Sequence, residues 1–232
     1  ITQSISVLQG FMHRDELAQF AALNLRPVVH QVWQVSALES FVGKISPWLK
    51  VNTGMGRLGV AMEQAVPLWS RLKACEAVTD IGLMSHFANA DEPDHVINQQ
   101  QISSIQQLAK QLSAPLSMAN SGGIVNFPQI HADWVRPGIM LYGSSPTRKH
   151  TAVELDLRAV MKVSTQLIAV NWLQAGEHVG YGSLWRCPED MPVGVAAIGY
   201  GDGYPRHARS GTPVLVNDQR TQILGRVSMD SI

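Results

Sequence analysis

Cysteine is nearly absent from this chain. Its 232 residues hold two, Cys75 and Cys187, too few for a disulfide scaffold and too far apart for a zinc knuckle. Two reduced thiols and no metal site are the expectation. Long apolar runs are missing too. The longest, residues 193–198, falls far short of the roughly 20 residues that a membrane helix needs, so no membrane association is expected. Charge of one sign is not in excess, with Lys plus Arg and Asp plus Glu at 18 each. That balance argues against a nucleic-acid binder or an acidic tail and suits a small neutral or zwitterionic ligand. No secretory leader opens the sequence, which points to a cytoplasmic setting. Ile1 is not an initiator and Ile232 falls within a strand-like run, so the chain is expected to be the central portion of a longer protein.

What is present is enough for a sizeable core: 45% of residues are hydrophobic and 16% charged. Short apolar runs at 5–7, 27–29, 48–51, 81–85 and 116–118 read as buried strands. Amphipathic stretches at 16–23, 34–42, 62–73, 94–112 and 124–127 read as helices between them, with Ile97, Ile105, Leu108 and Leu112 of one helix near one face and Gln and Ser opposite. Alternation of this kind implies parallel βα units. Repeated units with polar or glycine-bearing loops after each strand suggest part of a (β/α)8 TIM-type barrel; a doubly wound sheet fits the pattern alone as well. After a polar linker at 144–150 the texture changes. Runs at 160–170, 193–198, 213–216 and 222–227 are strand-like, and glycines and prolines punctuate them as turns. The expected division is an α/β barrel fragment over 1–147 and an incomplete β-rich C-terminal domain over 148–232.

The string Lys50-Val51-Asn52-Thr53-Gly54-Met55-Gly56-Arg57-Leu58-Gly59 ends an apolar strand in a lysine and then presents an arginine on a glycine-rich turn. On a barrel both cations would face the pocket, and Arg suits bidentate recognition of a carboxylate. An isolated Arg-Leu-Gly would mark no more than a surface turn, but this ten-residue string resembles the corresponding motif of alanine racemases. The resemblance continues in order. It takes in Ser85-His86-Phe87-Ala88-Asn89-Ala90-Asp91, then Asn120-Ser121-Gly122-Gly123, then Val135-Arg136-Pro137-Gly138-Ile139-Met140-Leu141-Tyr142-Gly143. Beyond the linker follow Val179-Gly180-Tyr181-Gly182, Gly199-Tyr200-Gly201-Asp202-Gly203-Tyr204 and Gly225-Arg226-Val227-Ser228-Met229-Asp230.

That resemblance implies an enzyme that interconverts L- and D-alanine with pyridoxal 5'-phosphate by two-base α-proton transfer. Tyr181 matches the family's tyrosine base, supplied by the partner subunit of a homodimer with shared active sites. Arg57 and the Met229 amide match substrate-binding groups. His86, Ser121, Arg136, Gly138 and Ile139 match the cofactor contacts, Arg136 against the ring nitrogen where many pyridoxal enzymes place a carboxylate. Lys50 matches a lysine that is often carbamylated, and Tyr200 and Asp230 match supporting residues near the tyrosine. The family role is supply of D-alanine for peptidoglycan or catabolism of one alanine enantiomer.

Two departures stand out. Asn52 replaces an aspartate often seen in the first motif. None of Lys44, Lys50, Lys73, Lys110, Lys149 and Lys162 sits in the family's Schiff-base setting, so that lysine is expected upstream and the chain alone is expected to be inactive. Alternative readings are a non-catalytic module of the same fold that holds pyridoxal phosphate, and a racemase for another small amino acid. A pyridoxal-dependent decarboxylase is disfavoured by Arg136.

Overall fold

A computed structural model describes residues 3–232. The chain divides into two compact units, the first running through Met161 and the second from Lys162 to Ile232. The first unit therefore continues beyond the polar linker.

Strands β1 (Ile5–Val7), β2 (Leu25–Val29), β3 (Trp48–Lys50), β4 (Gly82–Met84), β5 (Leu116–Asn120) and β6 (Trp134–Arg136) form one six-stranded sheet in sequential order. Every adjacent pair is parallel. Helices α1 (Glu16–Ala22), α2 (Val32–Glu39), α3 (Met62–Ala74) and α4 (Val96–Leu112) provide the crossovers, and α5 (Ser121–Asn126) follows β5. Sequential parallel order with a helix after each strand curls a sheet in one sense. The six strands make a curled half-barrel.

Because side chains alternate along a strand, the register divides the sheet into two faces. Val29, Leu49, Leu83 and Leu116 join Leu38, Leu72 and Ile105 from the helices in the main core. Val28, Trp48 and Met84 form a separate cluster on the other face. There the Trp48 indole donates to Ser6 Oγ at 2.9 Å, and the Arg26 guanidinium lies 4.7 Å from its ring centre. Gly82 pairs with Trp48 in register. A Cβ at Gly82 would lie 2.2 Å from the Trp48 ring, so only glycine admits the indole.

Several expectations change. Residues 134–136 were not expected as a strand: Trp134 and Val135 are exposed, and a three-residue edge carries little hydrophobic signal. The helix expected at 124–127 begins three residues earlier, so Ser121 and the two glycines form its first turn rather than a loop. On α4 the inward face is Asn98, Gln101, Ile102, Ile105 and Leu108; Gln101 is buried, not opposite the core.

The second unit holds three two-stranded antiparallel ladders. They pair β7 (Leu167–Leu173) with β10 (Met191–Ala196), β8 (His178–Val179) with β9 (Trp185–Arg186), and β11 (Pro213–Val216) with β12 (Gln219–Gln222). The strand expected at 160–170 lies at 167–173, and the one expected at 222–227 ends at Gln222. The tight turn at Asn217 and Asp218, both with positive φ, draws the polar stretch 219–222 into a hairpin with β11. No helix among the described residues is long and apolar enough to cross a membrane.

Candidate active site

Strand parity places the first group of candidate residues. Lys50 follows Trp48 by two and shares its face, pairs in register with Met84, and Met84 pairs with Ser117. Arg136 ends β6 on the same side and donates to Ser117 Oγ. These positions lie at or near the C-terminal ends of parallel strands, where active sites gather in barrels.

The segment after β3 is an excursion with a closed neck. Val51 bridges to Val60, Asn52 N–H donates to Val60 O at 2.9 Å, and Val60 N–H donates to Lys50 O at 2.9 Å. Inside the loop, Asn52 Oδ1 accepts from Gly54 and Gly56 N–H at 3.1 and 3.0 Å. Asparagine thus performs the turn-forming work of an aspartate through its carbonyl oxygen. Gly59 has φ +134, and a Cβ there would lie 2.5 Å from Asn52 N. Arg57 is exposed at the loop's far side.

Arg136 meets only neutral acceptors. Besides Ser117 Oγ, its guanidinium donates to Ser85 O at 2.6 Å, His86 Nδ1 at 3.2 Å and Met118 O at 3.3 Å. Burial draws its pKa down to about 10, which still leaves it charged at neutral pH. Accepting at Nδ1 makes His86 an Nε2–H tautomer. Burial first, then the charges of Arg136, Lys50 and Arg57, draw the His86 pKa down to about 4, so the imidazole is neutral at pH 7. Lys50 is 6% exposed. Burial and the neighbouring charges of Arg136 and Arg57 bring its pKa down to about 8. Among the described residues no carboxylate forms an ion pair with any of these cations. The clustered cations make the site electropositive and suited to anionic groups.

Ser121 supplies its other end. The hydroxyl oxygen accepts from Gly138 N–H at 2.8 Å and from Met140 N–H at 3.4 Å, which leaves the hydroxyl proton to donate. Asn120 Oδ1 caps the turn by accepting from Gly123 N–H at 2.9 Å. Gly122 and Gly123 lie where a Cβ would come within 2.9 Å of Ala90 and of the Phe87 ring. At Gly138, by contrast, the nearest atom to a Cβ would be Ser121 Oγ at 4.0 Å, so the space beside the hydroxyl is open. Ile139 follows at the start of a short 3-10 turn, half exposed.

The remaining candidates lie in the second unit. Tyr181 is 72% exposed and opens a 3-10 turn flanked by Gly180 and Gly182 at φ +70 and +76. Tyr200 starts a second such turn, locked to the Ser228–Asp230 segment by Tyr200 N–H to Ser228 O at 3.0 Å and Gly201 N–H to Met229 O at 2.8 Å. The Arg206 guanidinium lies 5.3 Å from the Tyr200 ring centre. Tyr181, Tyr200, Arg206, Arg209 and Arg226 line an open groove of about 880 Å³. Met229 and Asp230 are exposed outside that lining.

Within each unit the structure thus gathers candidates: Lys50, His86, Arg136 and Ser117 in the first, Tyr181 and Tyr200 in the second. Sequence reasoning missed Ser117, the Met140 amide and the Ser85 carbonyl. Ser117 could have been found by parity, since it alternates with Leu116 and Met118, which point into the main core, and so falls on the opposite face of β5.

Comparison with known proteins accords with this geometry. The alanine racemase N-terminal domain matches residues 1–146, and the alanine racemase C-terminal domain matches residues 160–232. Alanine racemases from Halorhodospira halophila and Alcanivorax borkumensis are 46% and 47% identical over 99% and 100% of this chain. The crystal structure of the biosynthetic alanine racemase from Pseudomonas aeruginosa superimposes with a TM-score of 0.95 at 38% identity, covering 99% of this chain. This chain spans 64% and 65% of the length of the two relatives and 65% of the solved chain. With both domain types matched in order and the relatives aligned along its whole length, the chain belongs to the alanine racemase family.

Proposed function

We propose that this chain builds most of the active site of an alanine racemase that uses pyridoxal 5'-phosphate and works as a homodimer. The observation that carries the proposal is Arg136: a half-buried guanidinium held by neutral acceptors, beside a neutral His86, with no carboxylate paired to it among the described residues. The residues present fit the group. The Ser121 hydroxyl and the open space at Gly138 suit a phosphate, and an arginine at the end of β6 suits an unprotonated ring nitrogen.

When bound, pyridoxal phosphate supplies the electron sink that lets an amino acid release its α-proton. The protein's part is orientation and proton handling. The Ser121 hydroxyl and the Ile139 N–H would hold the phosphate in the open space beside Gly138, whose own N–H sets the Ser121 hydroxyl. Arg136 can only donate hydrogen bonds, so a ring nitrogen held by it would accept a hydrogen bond rather than carry a proton, an arrangement that would favour return of the α-proton over side reactions. His86 is neutral with Nδ1 engaged by Arg136; it orients that arginine and moves no proton. Arg57 takes the substrate carboxylate and the cofactor's phenolic oxygen. The partner subunit's Tyr181 works on one face through its phenol oxygen, removing the α-proton from one enantiomer and delivering a proton when the reaction runs the other way, while the family's other base serves the opposite face. The partner's Met229 presents its amide to the substrate carboxylate. Tyr200 and Asp230 support that tyrosine. None of the chain's lysines stands in the setting of the family's other base.

Lys50 is proposed to carry a carbamate. Its pKa near 8 leaves a fraction of neutral amine near neutrality, which adds CO2 at nitrogen and releases one proton. The resulting anion would relieve repulsion with Arg57 and Arg136. Intact-mass analysis in bicarbonate buffer checks this: one added CO2 that disappears in Lys50→Met supports it, and an unmodified Lys50 ends it.

Supply of D-alanine for cell-wall synthesis is the biological role favoured by the likeness to a biosynthetic racemase. The deciding experiment is D-alanine formation from L-alanine by the full-length protein with pyridoxal phosphate, followed by chiral chromatography. Racemisation in wild type and its loss in Arg136→Ala support the proposal. Cofactor binding without racemisation of alanine would overturn it in favour of a binding module or another substrate.

A further inference from the structure

Helix α4 turns a glutamine inward. Gln101 is 0% exposed, and a buried amide is costly unless each polar atom finds a partner. Gln101 Nε2 donates to Thr53 Oγ1 at 3.1 Å and to His86 O at 2.9 Å, while Oε1 accepts from Ala88 N–H at 3.0 Å. One side chain thus holds two strand-end segments: the loop after β3 that carries Arg57, and the segment after β4 that carries His86.

The direction of the hydrogen bonds is fixed. Val51 O can only accept, so the single Ser85 hydroxyl proton goes to it at 2.9 Å. Thr53 must then donate to Ser85 Oγ at 2.7 Å, which leaves Thr53 Oγ1 to accept from Gln101. The order is Gln101 to Thr53 to Ser85 to Val51. A flipped Gln101 amide would set oxygen against His86 O and nitrogen against the Ala88 N–H. Ser85 O and His86 Nδ1, at the far end of this network, are acceptors for Arg136. Behind the loop, a Cβ at Gly54 would meet Ile97 Cδ1 at 3.2 Å and Gln101 Cγ at 3.6 Å, so α4 backs the loop sterically as well.

We propose that Gln101 is a positioning residue: from behind the site it fixes the Arg57 loop against the His86 segment, and so sets the spacing between the substrate-side and ring-side cations. The inference rests on the racemase reading for its kinetic consequence and on geometry alone for its mechanical one. Gln101→Met keeps volume and removes every hydrogen bond; Thr53→Val removes one link in the same network; Gln107→Met, on the exposed side of α4, is the control.

In the full-length protein, the KM for L-alanine should rise about tenfold in Gln101→Met with kcat within about threefold, since lost positioning of a carboxylate-binding arginine weakens substrate binding first. Amide exchange at Gly54 and Gly56 should quicken about tenfold as the loop loosens. Thr53→Val should do the same, and the double variant should be no worse than the more damaged single one, because both cut one network. Gln107→Met should change nothing. A lower melting temperature with unchanged KM and unchanged loop exchange would overturn the proposal, as would additive effects in the double variant. If Gln101→Met does not fold, Thr53→Val carries the same expectations by itself. If the wild-type protein does not racemise alanine, the proposed function is lost, and the exchange comparison alone decides whether Gln101 anchors the loop.

Discussion

The two units hold their candidate residues in opposite ways. In the first, Lys50, Ser85, Ser117 and Ser121 are buried, neighbours hydrogen-bond the three serines, and burial together with the nearby cations draws down the pKa values of Lys50 and His86. In the second, Tyr181 and Met229 are 72% and 55% exposed, and backbone hydrogen bonds of tight turns hold them in place. Burial gives the first unit fixed electrostatics: charges in a low-dielectric pocket act strongly on one another and need a rigid frame to be tolerated. The second unit offers an exposed phenol on a backbone held by tight turns, an arrangement suited to meeting something that arrives from outside. On the proposed function, chemistry that needs a fixed field and chemistry that needs a delivered proton acceptor are thereby separated.

Substitutions can break this comparison, and Tyr181→Phe should do so most strongly. On the proposed function, loss of its hydroxyl removes an acid/base group and should slow racemisation about a hundred- to ten-thousand-fold. The melting temperature should hold within about one degree, because so exposed a side chain contributes little to packing. A large loss of stability with intact activity would contradict both halves of the contrast. Next in size is a pair of leucines. Leu83→Ala, at a 0% exposed position of β4, should destabilise the protein by about 2–5 kcal/mol in urea titration. Leu215→Ala, at 66% exposure on β11, should cost less than about 0.5 kcal/mol. Equal effects would show that the second unit's apolar faces are covered in the assembled protein.

A further test concerns pH. The unfolded chain binds a proton on His86 below 6.5, whereas the folded chain does so only below about 4. Stability contributed at this position is therefore complete above pH 6.5 and lost as pH falls through that window. His86→Gln should flatten the acid limb of a stability-against-pH curve between those values. An unchanged slope would mean that the imidazole is far better solvated than its surroundings imply.

Much of the first unit was legible in the amino-acid sequence because its strands are apolar runs separated by amphipathic helices, and both patterns follow directly from burial. The short edge strand at 134–136 was not, since it has no buried side to create a pattern. Nor was the hairpin strand at 219–222, four polar residues set by turn geometry at Asn217 and Asp218. At the site, the strings around Lys50, Ser121 and Arg136 stood out because they resemble, in order, the motifs of alanine racemases; by spacing alone Ser-Gly-Gly reads as an ordinary turn. Gln101 left no such mark. A glutamine on an amphipathic helix reads as solvent-facing until the loops it secures are in place, since its partners lie 48 and 15 residues away in sequence.

Gly199 carries a last consequence. A Cβ there would lie 2.3 Å from the Met229 carbonyl oxygen, and the turn it begins is hydrogen-bonded to Ser228 and Met229. Two stretches of chain almost thirty residues apart in sequence are thus riveted backbone to backbone, with no side chain to act as a cushion between them. The turn that carries Tyr200 and the segment that carries Met229 therefore share one backbone frame, and any side chain larger than glycine at position 199 would have to push the two apart.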